Sequence, residues 1–145
     1  MNKLAGFLIA AVLAADGLLH AYWATGHLWP ARDPNTLSRA VLNVDISFAT
    51  PGVFVLACAL VLGALTVLAR VHALGALGQL IPAPLLQIGI LVIAAGLLLR
   101  GLAGIVWTLG LMAARSELFY QLNLVLYTPV CLLLFVAAML VAFSA

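Results

Sequence analysis

Charge is scarce in this chain. Four acidic and six basic residues stand among 145, so charged side chains make up 7% of the sequence, where a soluble domain carries roughly 25%. Hydrophobic residues account for 67%, more apolar surface than a water-soluble fold of this length can bury. Soluble architectures are thereby excluded, and no nucleic acid is expected among the partners. The chain reads as an integral membrane protein whose first partner is the lipid bilayer.

Cysteine is nearly absent as well. Cys58 and Cys131 each lie inside an apolar stretch and form no C-x-x-C pair, so they read as small buried hydrophobes rather than a redox couple. No nucleotide-binding loop, nucleophile elbow or zinc signature occurs.

What the sequence does have is four apolar runs, at about 4–24, 48–69, 85–109 and 118–144. Each reaches the ~20 residues that cross a hydrocarbon core of about 30 Å. The runs are continuous rather than alternating, which points to helices and away from a barrel. The expected fold is all-α: a transmembrane four-helix bundle forming one integral membrane domain over 1–145. Lys3 followed by Leu4–Ala15 has the outline of a signal peptide. The run continues, however, to Tyr22 and Trp23, an aromatic pair suited to the membrane interface, which favours a first span. Lys3 ahead of that span and the acidic residues Asp33, Asp45 and Glu117 on the opposite side argue for termini in the cytoplasm. A plain count of Lys and Arg in the loops argues weakly the other way.

The first connection, about 25–47, holds most of the polar residues. Asn35–Val41 has the pattern of a short interfacial helix capped by Asn35 or Thr36, and Thr50-Pro51 fits a first-turn proline opening the second span. The connection over about 70–84 reads as a turn with partial helix. The third, near 113–117, is short enough to make spans three and four antiparallel neighbours.

Polar side chains inside the spans are the informative exceptions. Arg100 interrupts the run Leu97–Gly104, where a guanidinium costs about 2.5–3.5 kcal/mol on insertion scales. Asp16 and His20 are four residues apart and share a helix face, which Trp23 and His27 continue. Tyr120, Asn123 and Tyr127 form a similar stripe with Cys131 beyond it. At about 1.5 Å of rise per residue, Asp16, His20, Arg100, Asn123 and Tyr127 fall roughly 18, 24, 22, 23 and 17 Å across the membrane on one scale. Three spans therefore place five polar side chains in one layer. In the simplest arrangement Asp16 and Arg100 neutralise each other, and His20, Asn123 and Tyr127 complete the hydrogen bonds. His27 and His72 read as interfacial, and Trp29 and Trp107 as interface anchors. His20 and His72 fall on opposite sides of the membrane, so neither a metal nor another cofactor is expected.

Three segments carry a resemblance: Gly17–Gly26 (GLLHAYWATG), Leu99-Arg100-Gly101, and Phe119–Leu132 (FYQLNLVLYTPVCL). Together they resemble a family of small bacterial integral membrane proteins catalogued as a domain of unknown function. The resemblance implies four membrane helices in the bacterial cytoplasmic (inner) membrane. It also implies an Asp in many relatives where this chain has Asn123, which would alter the charge balance around Arg100. It implies no activity.

Two functions fit these residues. In the first, the polar layer handles a lipid-soluble small molecule. Asp16 and His20 transfer protons, Arg100 holds an anionic group or a developing negative charge, and Asn123, Tyr127 and Trp23 bind and orient the ligand. In the second, the layer is purely structural and the chain is an accessory or assembly subunit. Gly63, Gly89, Gly96 and Gly104 then serve close contacts with a second copy or another membrane partner.

Overall fold

A computed structural model describes residues 2–44, 50–113 and 116–143; the loop charges Asp45 and Arg115 lie outside them. Helix α1 (Asn2–Ala24) is followed by α2 (Pro34–Leu42), α3 (Thr50–Arg70), α4 (Ala76–Gln79), α5 (Ala83–Thr108), α6 (Glu117–Leu122), a five-residue π turn (Asn123–Tyr127) and α7 (Thr128–Phe143). The described residues contain no strand. Four stretches are long and apolar enough to cross a membrane: Lys3–Ala24, Pro51–Arg70, Ala83–Thr108 and Glu117–Phe143. The last is one span built from α6, the π turn and α7. Ala83–Thr108 measures about 39 Å along its axis, so it tilts or overhangs a core of about 30 Å.

The spans close into a ring. Helix α1 packs on α3, α3 on α5, α5 on α7, and α7 returns to α1. Close glycine contacts set these distances. The Gly17 backbone lies against Ala57 and Leu60, Gly63 faces Leu13 and Ile93, and Gly89 meets the Thr66 methyl group. Gly63, Gly89 and Gly104 are all occupied by packing within the chain, whereas Gly96 faces open space.

The two halves of the bundle differ in chemistry. Ile9, Leu13, Val67, Ile90, Ala138 and Val141 belong to one apolar core, near the chain ends of α1 and α7. Asp16 and Arg100 each precede the far end of their helix, Ala24 or Thr108, by eight residues, which sets both about 12 Å inside that end.

Helix α2 lies on this polar side. Its cap is Asp33 rather than Asn35 or Thr36: Asp33 is extended (φ −147°, ψ 160°) and its Oδ1 accepts the Thr36 N–H at 2.9 Å. Pro34 explains the earlier start, because its fixed φ and missing N–H suit the first helical position. Asn43 closes the helix in the left-handed region (φ 59°). Leu37, Ser38 and Ala40 are buried, with α2 packed against α6.

Candidate functional site

Arg100, on α5, reaches across to the fourth span. Its Nη1 donates to Asn123 Oδ1 at 3.2 Å. Its Cζ lies 5.1 Å from the centre of the Tyr127 ring and 5.9 Å from that of Trp107, inside the range of cation–π attraction. Asn123 is fully buried and uses both ends of its amide. Nδ2 donates to the Gly104 carbonyl at 2.8 Å and more weakly to Thr108 Oγ1 at 3.4 Å, so the amide orientation is fixed by its partners.

The π turn makes this reach possible. The Thr128 N–H bonds to the Asn123 carbonyl five residues back, so the turn is wider than an α-turn. Such insertions recur at functional sites. Gly104 supplies the matching gap on α5. A Cβ there would collide with Thr128 Oγ1 and approach Asn123 Oδ1 to 3.1 Å. Two polar atoms in this neighbourhood are buried without a hydrogen-bond partner, Trp107 Nε1 and Thr128 Oγ1. Buried polar groups are nearly always satisfied, and these two are exceptions.

On the α1 side, His20 Nδ1 lies 2.9 Å from the Asp16 carbonyl and 3.1 Å from Asp16 Oδ1. Both partners are acceptors, which fixes the Nδ1–H tautomer or the imidazolium. Among the described residues Nε2 has no hydrogen-bond partner. The side chains differ in exposure, 10% for His20 and 47% for Asp16, so the carboxylate sits at the bundle surface. Trp23 is buried edge-on to His20, ring centres 5.0 Å apart, and its indole N–H donates to the Trp29 carbonyl at 2.9 Å. His27 leaves the stripe because α1 ends at Ala24; it stacks on Tyr22 and pairs with the Thr25 hydroxyl at 2.8 Å.

The expected pairing of Asp16 with Arg100 is not made: among the described residues no ion pair within 4.0 Å joins them. The ring topology explains this. Helices α1 and α5 sit at opposite corners of that ring. Trp107 is also not a simple interface anchor, since it packs against Arg100 and edge-on to Phe119 at 5.1 Å. Its position seven residues after Arg100, two turns along one face, was the available signal. Above the layer, the Tyr127 hydroxyl donates to the α2 carbonyl of Ala40 at 3.4 Å. Asn43 Nδ2 donates to Ala113 O at 3.0 Å. Among the described residues no three His, Cys, Asp or Glu side chains converge as metal ligands.

Four apolar spans packed in a ring define a multi-pass membrane protein. The chain belongs to the family described as "Protein of unknown function (DUF3995)", whose model matches residues 11–140. That range includes all six polar and aromatic residues singled out above: Asp16, His20, Trp23, Arg100, Asn123 and Tyr127. No curated protein and no solved structure matches the chain.

Proposed function

We propose that this is a small protein of the bacterial cytoplasmic membrane that binds an amphipathic or hydrophobic molecule in the Arg100 layer and carries out proton transfer or transport on it. One observation carries the reading: Arg100 has a single hydrogen-bond acceptor, a neutral amide, and no carboxylate within 4.0 Å among the described residues. A guanidinium at this depth normally pairs with a counter-charge. Two ring faces offset part of its cost but cannot accept its remaining N–H groups in its plane. A bound molecule supplies that partner.

The roles follow from position. Arg100 holds the polar head, with Asn123 fixing the guanidinium and Tyr127 and Trp107 walling it. On α1, Asp16 orients His20 through Nδ1, leaving Nε2 as the atom that gives or takes a proton. Trp23 keeps the imidazole in place. Helix α2 covers the layer from the aqueous side, and the half-exposed Asp16 favours entry from the bilayer.

Native mass spectrometry of the protein released from membranes tests this. Wild-type protein should carry a defined small molecule that folded Arg100→Gln protein lacks. Identical adducts, or none, on both proteins would overturn the reading.

A further inference from the structure

The donors and acceptors around Arg100 do not balance. Arg100 presents five N–H donors, of which one has an acceptor in the described structure. The Trp107 indole N–H, on the ring whose centre lies 5.9 Å from Arg100 Cζ, is buried with none. The Thr128 hydroxyl, on a residue 9% exposed, is also buried without a partner, and it abuts the Gly104 backbone close to Asn123 Oδ1. The acceptors nearby are already engaged: Asn123 Oδ1 by Arg100, Gly104 O by Asn123 and Thr108, and Thr108 Oγ1 by Asn123. What Arg100 lacks among the described residues is a partner of opposite charge.

We infer that the ligand of this layer is an anionic amphiphile, whose oxyanion head accepts from Arg100 and the Trp107 indole while its apolar tail lies along the lipid-facing surface of α5. A carboxylate or phosphate oxygen takes charge-assisted bonds from a guanidinium that a neutral carbonyl or hydroxyl cannot match. The α5 surface beside Arg100 leaves room for a chain: Leu99 and Leu102 are exposed to the membrane, and Gly96, one turn before Arg100, has nothing within 4 Å where a Cβ would stand. This rests on the binding function proposed above and narrows it from any amphiphile to an oxyanion-headed one. The same head chemistry comes from two sources, a free long-chain carboxylate or the phosphate of an anionic phospholipid.

The test is a titration of full-length protein in phosphatidylcholine nanodiscs with carboxyl-13C palmitate, read from the carboxyl resonance, with hexadecanol and phosphatidylglycerol as competitors. Palmitate should show a saturable shifted resonance that hexadecanol displaces about tenfold less effectively than unlabelled palmitate, the discrimination a charge-assisted bond provides. Arg100→Gln should abolish the shifted resonance, and Trp107→Phe, which keeps an aromatic face but no N–H donor, should weaken binding about tenfold. Displacement by phosphatidylglycerol identifies phospholipid phosphate as the head, and its failure to displace identifies a carboxylate. Either result supports an oxyanion. Hexadecanol binding as tightly as palmitate in an Arg100-dependent manner overturns the anionic head and leaves the broader binding function standing. No saturable binding of palmitate, phosphatidylglycerol or hexadecanol overturns both.

Discussion

The Arg100 guanidinium and the Asn123 amide meet at 3.2 Å, and the amide's other end is bound to the Gly104 carbonyl one turn further along α5. Asn123 thus joins a charge and a backbone group of one helix to the π turn of another, while remaining neutral. Replacing it with Asp should convert this contact into an ion pair. Asn123→Asp protein is expected to fold and to lose about tenfold in affinity for anionic amphiphiles, measured by the same titration. Unchanged affinity would mean that Arg100 is not the anion's partner.

Trp107→Phe separates stability from binding. The substitution removes an N–H that is buried without an acceptor, a group that costs about 1–3 kcal/mol when unsatisfied. Empty Trp107→Phe protein should therefore be within about 1 kcal/mol of wild type, or more stable. A thermal melt in detergent checks it, and a severe loss would contradict it.

Gly104 and Gly96 form an internal control. A methyl group at Gly104 would collide with Thr128 Oγ1, whereas at Gly96 it meets nothing within 4 Å. Gly104→Ala should destabilise by about 1–3 kcal/mol, as overpacking does, and Gly96→Ala should be neutral. Denaturant unfolding of the two variants gives the comparison, and equal effects would refute the close approach of α5 to the π turn.

Outside the membrane, Asp33 predicts a pH dependence. The Thr36 hydroxyl and N–H donate to its carboxylate and hold its pKa below the ordinary 3.8. A depressed folded-state pKa contributes stability in full above the ordinary value, lost as pH falls through the lowered one. Hydrogen exchange at the Thr36 amide should therefore be steadily protected from neutral pH down to about pH 4 and lose protection below it. Asp33→Ala should lack protection across the range. Protection of that amide in Asp33→Ala would remove Asp33 as the cap of α2.

The four spans were legible because their signal is length and continuous apolarity, which packing leaves unchanged. Height along each helix was legible too, since rise per residue converts sequence position into distance from a helix end. Azimuth was not. Counting along α1 and α5 puts Asp16 and Arg100 at one height without revealing that their helices stand at opposite corners of the ring. The π turn was equally hidden. Its extra width is made possible by the gap at Gly104, a contact between residues 19 positions apart in the case of Asn123. Trp107 looks like an interface anchor near the end of α5 until Arg100, seven residues earlier, is placed on the same face. The cap of α2 turned on a local rule, since Asp33-Pro34 contains both the acceptor and the first-position proline.

The most direct test of an oxyanion at Arg100 is a distance. Rotational-echo solid-state NMR on protein with 15N-labelled arginine and carboxyl-13C palmitate, in phosphatidylcholine bilayers, reads the separation between guanidinium nitrogens and the carboxyl carbon. A separation of about 4 Å or less is expected, with the dephasing lost in Arg100→Gln protein. Absence of dephasing in wild-type protein that has bound palmitate, or dephasing that survives Arg100→Gln, would contradict it.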